Sequence, residues 1–245
     1  MLKVSRNFIV KSILTMAAAS LIVVILLFNG ILRFNYPSFS RYPVRGIDVS
    51  HHQGEIHWKL VAEENIHFAY IKATEGQDFQ DPRFKANWEA AKTAGIVRGA
   101  YHFFNFCSSP QKQAANFIAT VPQDANSLPP VIDIEFIGYC KIKPSKLVYQ
   151  KSVQIFISLV ENHYKKKVVL YTTYESYQGY LDTLFLQHSV WIRDIYFEPT
   201  LQNNRQWHIW QYSNRGHVKG IKSYVDLNLF NGNKAQFKRF ILKGY

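Results

Sequence analysis

From residue 44 almost to residue 230, short apolar runs rich in β-branched and aromatic residues alternate with amphipathic stretches of helical period. This alternation constrains the fold more than any other feature. Strands are expected over 44–50, 68–73, 97–104, 129–136 and 167–172, with shorter ones over 190–193, 207–211 and 224–229. Helices are expected over 58–65, 82–94, 110–120 and 144–164, with Pro82 and the Ser109-Pro110 pair near two of their starts and Gly95 as a stop. Strand–helix alternation argues for a parallel sheet, and its length for a closed or nearly closed α/β barrel, irregular, flattened and TIM-like.

The N-terminus is different. Lys3, Arg6 and Lys11 precede an apolar run over 13–28, which reaches the length of a membrane span once Ile31 and Leu32 are added. Ala17, Ala18 and Ala19 lie inside the run rather than after it, and no small-x-small pair follows Phe28. An uncleaved transmembrane helix is therefore expected in preference to a signal peptide. Basic residues ahead of the span place the N-terminus in the cytoplasm and the rest outside. The expected division is 1–33 for cytoplasmic tip and membrane anchor, 34–43 for a spacer, and 44–245 for one catalytic barrel.

The balance of 29 Lys+Arg against 17 Asp+Glu gives a formal charge of +12, which suits an anionic neighbourhood such as lipid or cell wall. No Arg/Gly-rich arm, zinc-ligand set or basic recognition helix is present, so no nucleic-acid partner is expected. Cys107 and Cys140 follow the ends of the third and fourth strands and could form one disulfide in an oxidising compartment.

Four acids stand out. The strand over 129–136 carries Asp133 and Glu135 two positions apart, hence on one face. Adjacent acids raise one another's proton affinity, and burial raises it further. Taken alone, this stretch fits two readings about equally: a structural one, as a pair neutralised by Lys or Arg or as a metal site, and an acid/base pair for bond cleavage. Asp48, near the end of the first strand, and Asp226 also lie among apolar neighbours, where an ionised carboxylate is costly unless its site is polar. The C-terminal strand ends form the reaction face of a β/α barrel, so four acids from three strands favour a site. Tyr70, Tyr101, Phe103, Tyr171, Trp191 and Tyr212 each suit core packing singly; around a carboxylate cleft they also suit sugar faces. No GxSxG elbow, P-loop or strand-borne GxGxxG occurs, and neither metal nor cofactor is expected. His51 and His52 are expected to point apart, within a substrate-side loop over 48–54.

At these residues the chain resembles the lysozymes of glycoside hydrolase family 25. The resemblance rests on Gly46-Ile47-Asp48-Val49-Ser50 with Gln53-Gly54, and on Phe68-Ala69-Tyr70-Ile71-Lys72-Ala73-Thr74-Glu75-Gly76. It continues through Asp81-Pro82-Arg83-Phe84, Asn87-Trp88, Arg98-Gly99-Ala100-Tyr101-His102-Phe103 and Asp133-Ile134-Glu135. Trp210-Gln211-Tyr212-Ser213, Val218-Lys219-Gly220-Ile221 and Val225-Asp226-Leu227-Asn228 complete it, in order, from about residue 44 onward.

The resemblance implies an irregular β/α barrel that cleaves the β-1,4 bond between N-acetylmuramic acid and N-acetylglucosamine in peptidoglycan. It also implies Glu135 as general acid, with Asp133, Asp48 and Asp226 as the other acids of the cleft. Tyr70, Tyr101, Tyr171, Trp191, Gln211 and Tyr212 form the expected substrate-binding set. One departure is visible: the family usually shows Trp-x-Ala-x-Tyr on a late strand, whereas here Trp191-Ile192-Arg193-Asp194-Ile195-Tyr196 puts Arg193 in place of the Ala. Glu135, raised by Asp133 and by burial, would protonate the leaving oxygen. Asp133 lies on the same side of the sugar and would orient the substrate's own 2-acetamido group, giving retention. A hydrolase of another N-acetylated polysaccharide and a non-catalytic wall-binding module are the alternatives.

Overall fold

The computed structural model describes residues 5–135, 145–181 and 184–243. A 23-residue helix, α1 (Arg6–Phe28), comes first. It is followed by β1 (Arg45–Val49), α2 (Trp58–Glu63), β2 (Phe68–Glu75), β3 (Phe79–Gln80), α3 (Phe84–Thr93), β4 (Val97–Phe103) and α4 (Pro110–Thr120). Then come β5 (Val131–Ile134), α5 (Lys146–Tyr164), β6 (Val169–Thr172), a short α6 (Tyr174–Ser176), β7 (Val190–Arg193), β8 (Ile209–Gly216), β9 (Val225–Phe230) and α7 (Lys234–Lys243).

The strands close into an eight-stranded barrel in the order β1-β9-β8-β7-β6-β5-β4-β2, with β2 paired back to β1 and β3 added antiparallel to β2. The sheet is mixed, which corrects the expectation of a parallel one. β9 runs antiparallel to both β8 and β1. Its connection from β8 spans only residues 217–224, and a parallel return needs a crossover of about a dozen residues or more. The reversal matters for the site. Because β9 starts where its neighbours end, Asp226 near its first residue reaches the same mouth as Asp48 near the end of β1, and the two are direct cross-strand partners.

Two apolar cores follow from the alternation of side chains. One fills the barrel: Phe68, Tyr70, Val131, Val169, Tyr171, Trp191, Ile209 and Phe230, closed at the bottom by Phe237 and Phe240 of α7. The other lies between barrel and outer helices and includes Ile47, Ile71, Trp88, Phe117, Ile132, Phe156 and Leu170. Gly99 is required by the first: a Cβ there would stand 2.3 Å from the Tyr70 ring. Helix ends follow local chemistry. Ser109 accepts a hydrogen bond from Lys112 N–H at the start of α4 with Pro110 behind it, and Gly95 (φ +79°) ends α3.

α1 begins at Arg6, earlier than the expected start near residue 13, and none of its residues is buried. It is long and apolar enough to cross a membrane. Residues 29–43 are no free spacer. Asn35 Nδ2 donates to the carbonyls of Ile195 (2.8 Å) and Tyr212 (3.0 Å), and Arg45 Nη2 donates to Pro37 O at 2.6 Å. Cys107 is disulfide-bonded; its expected partner, Cys140, lies outside the described residues.

Candidate active site

The barrel mouth holds a cavity of about 310 Å³. Asp48, Asp133, Glu135 and Asp226 all line it, together with Tyr101, Tyr171, Trp191 and Gln211. β1 brings Asp48, the end of β5 brings Asp133 and Glu135, and β9 brings Asp226. The structure therefore brings together all four acids expected from the sequence.

A chain of hydrogen bonds fixes the first of them. Gln211 Nε2 and Asn228 Nδ2 donate to the same oxygen of Asp48, at 3.0 and 2.7 Å. Tyr171 holds Gln211 through a hydroxyl bond of 3.0 Å, and Trp191 Nε1 holds Asn228 at 2.9 Å. The Tyr171 hydroxyl also lies 3.4 Å from Glu135 Oε1. One network thus joins the two sides of the cleft.

The acids differ in their proton affinity. Burial pushes Asp133 well above the ordinary carboxylate range, and the charges of Glu135 and Asp48 push it further, with Lys72 opposing. Burial also raises Asp226 strongly, followed by the charge of Asp48 and a hydrogen bond to it. Asp48 is raised by burial, but Asn228, Gln211 and Asp226 all favour its ionised form through hydrogen bonds. Asp48 and Asp226 share a hydrogen bond, and burial raises both. Glu135 is raised by burial while Arg193 and the Tyr171 hydroxyl hold it back. Asp133 and Glu135 are both raised, and Asp133 is the more enclosed of the two. Asp133 Oδ1 is buried and makes no hydrogen bond among the described residues.

Two expected sugar-contacting residues lie elsewhere. Tyr70 is fully buried one layer below the mouth, stacked on Trp191 at 4.9 Å, with its hydroxyl donating to Pro129 O at 3.2 Å. Tyr212 follows Gln211 directly, so on a strand it must face the other way; it packs outside the barrel, its hydroxyl accepting from Arg45 Nη1 at 3.0 Å. His51 and His52 also depart from expectation. They sit on a single helical turn with rings 4.1 Å apart, and His51 pairs with Asp81 at 2.8 Å. His52 faces the cavity.

Lys72, which lines the cavity, and Asn228, which is buried behind it on Asp48, are absent from the expected set, although a period of two finds both. Lys72 stands two positions beyond Tyr70 and ion-pairs with Glu75 at 2.6 Å; Asn228 stands two beyond Asp226. Arg193 lines the cavity, where its charge acts on Asp48, Glu135 and Asp226. Among the described residues no group of three His, Cys, Asp or Glu is placed to hold a metal ion.

Residues 47–221 match the model of the Glycosyl hydrolases family 25. The chain belongs to family 25. Lysozyme M1 from Streptomyces globisporus is 37% identical over 204 residues, covering 79% of this chain and 69% of the relative. The solved family 25 glycosyl hydrolase from Bacillus anthracis is 40% identical, with a TM-score of 0.80 over 85% of this chain and 97% of its own. The bacterial lysozyme from Streptomyces coelicolor is 35% identical with a TM-score of 0.75, covering 81% of this chain and 97% of its own. The family model's match, residues 47–221, leaves α1 outside.

Proposed function

We propose that this protein is a membrane-anchored muramidase, a glycosidase that hydrolyses the β-1,4 bond between N-acetylmuramic acid and N-acetylglucosamine in peptidoglycan. The observation that carries the reading is the acid-lined mouth of a family 25 barrel, in which four carboxyls from three strands face one cavity and burial raises the proton affinity of each. A wall-binding module has no use for such a set. Printed names of the relatives, among them Lysozyme M1 and an N,O-diacetylmuramidase from Chalaropsis sp, support the substrate class.

In the proposed mechanism Glu135, raised by burial and hydrogen-bonded at its rim by Tyr171, donates its proton to the leaving glycosidic oxygen. The 2-acetamido oxygen of the sugar attacks the anomeric carbon from the opposite face. Asp133 Oδ1, buried and unpartnered among the described residues, accepts the acetamido N–H and holds the group in line. Water then opens the bicyclic intermediate with Glu135 as base, and configuration is retained. Asp48 and Asp226 position the sugar hydroxyls beside Asp133. Tyr101, Tyr171 and Trp191 supply apolar faces, and Gln211 keeps Asp48 in place.

The catalytic unit in this reading is 44–245, and α1 is a single-pass anchor with its N-terminus cytoplasmic and the barrel on the periplasmic or extracellular side. The deciding experiment is turbidity loss of purified cell walls with identification of the new reducing ends. N-acetylmuramic acid is the expected reducing sugar, released first as the β-anomer. Reducing N-acetylglucosamine would shift the cleaved bond, and an α-anomer would rule out the acetamido pathway.

A further inference from the structure

The segment after α1 is built onto the barrel at its catalytic end. His217 Nε2 lies 2.9 Å from Asn29 O, Tyr224 donates its hydroxyl to Asn29 Oδ1 at 3.1 Å, and Arg215 donates to Phe28 O with its guanidinium 4.1 Å from the Phe28 ring centre. Gly30 takes a left-handed φ of +66° and sits against Arg215, where any side chain would collide with its carbonyl. All three partners of this turn belong to the end of β8 and the loop to β9, which rim the mouth. The strap then passes Phe34, whose ring lies 5.1 Å from that of Tyr196 beyond the end of β7.

Length makes this contact consequential. From Arg6 to Phe28 the helix advances about 33 Å at ~1.5 Å per residue, close to the ~30 Å of a hydrocarbon core. Phe28 therefore stands at the outer face of the bilayer, and Ile31, Leu32 and Phe34, all exposed, follow it directly. They are already packed beside the barrel mouth, so no stalk is left between bilayer and cleft. Around them Tyr36, Tyr196 and Phe197 expose 60%, 50% and 75% of their surface. Aromatic side chains of this kind favour the headgroup layer. Arg33 and Lys222 add positive charge for anionic lipid.

Resting on the reading of α1 as a membrane span, we propose that the strap over 29–39 seats the barrel mouth-down at the lipid headgroup layer. The enzyme then works on glycan lying at the membrane surface and not on the distant wall.

The test uses the full chain in vesicles of phosphatidylethanolamine and phosphatidylglycerol that contain a headgroup-level quencher lipid. A fluorophore is placed singly at Val23→Cys in α1, at Phe197→Cys on the rim, and at Lys238→Cys on α7 at the opposite end. Loss of emission at Val23→Cys and Phe197→Cys, with Lys238→Cys left at its solution brightness, is expected. Quenching at Val23→Cys alone, or at both ends of the barrel, overturns the orientation while keeping the anchor. No quenching at Val23→Cys removes the anchor and the inference with it. A Gly-Ser insertion between Phe28 and Asn29 should abolish the Phe197→Cys quenching and spare that of Val23→Cys; quenching retained at Phe197→Cys would mean that the strap does not hold the mouth down.

Discussion

Replacing Glu135 by Gln keeps its size and removes the proton that the leaving oxygen needs. Wall lysis should fall by about 10²–10⁴-fold with the circular dichroism spectrum unchanged and no loss of Tm; turbidity assays read the first and thermal melts the second. Asp133 yields a different outcome. Its folded pKa is raised by burial and by Glu135, so the folded state holds a proton that the unfolded chain releases. That stability is full below the unfolded carboxylate pKa and is lost as pH rises through the folded value. Asp133→Asn should therefore lower activity yet raise Tm, by about 2–4 °C for each kcal/mol relieved in a chain of this size. The gain should be absent at acid pH and grow toward alkaline pH, as paired melts across pH would show. A Tm difference independent of pH would contradict the buried-acid assignment. Both carboxylates were legible in the sequence because two acids on one face of an apolar strand need an explanation. Lys72 and Asn228 were as legible by the same period of two. Tyr70 and Tyr212 were misassigned because aromatic identity was weighed without its layer and its face.

At the scale of the element, β2 shows why layer matters. Tyr70 and Lys72 share a face, but the first belongs to the barrel interior and the second to the mouth. Tyr70→Phe removes only the hydroxyl bond to Pro129 O, worth about 1 kcal/mol, and should leave KM for glycan unchanged in steady-state assays. A rise in KM would return Tyr70 to the sugar-binding surface. Opposite it, Gly99→Ala puts a methyl group into the Tyr70 ring, and overpacking of this kind costs about 1–3 kcal/mol, measurable by urea unfolding. The first five barrel strands were readable as short apolar runs, since both their faces are buried, and the four helices between them from the period of one buried face. The reversal of β9 was not. It depends on the length of the 217–224 connection, which carries no hydrophobic period. The segment over 34–43 was likewise read as a spacer because the groups that hold Asn35, the carbonyls of Ile195 and Tyr212, lie far away in sequence.

For the whole molecule, the formal charge of +12 is spread over the surface, while the cleft itself balances acids against Arg193 and Lys72. Long-range attraction to an anionic wall and short-range chemistry at the mouth are therefore separable. Raising salt from about 0.01 M to about 0.1 M shortens the Debye length from ~30 to ~10 Å. Attraction between the basic surface and a wall polymer is then largely screened, whereas the buried network among Asp48, Gln211, Asn228 and Asp226 is not. Lysis of whole walls should slow by about 10-fold over this range, at the low end of the rate effects of electrostatic steering. Turnover of a short soluble glycan with amidated carboxyls should stay constant, because that substrate carries no charge to steer. Measuring both substrates in the same salt series decides the matter: parallel losses would place the salt effect inside the cleft, and no loss on walls would leave the basic surface without a part in binding its polymer.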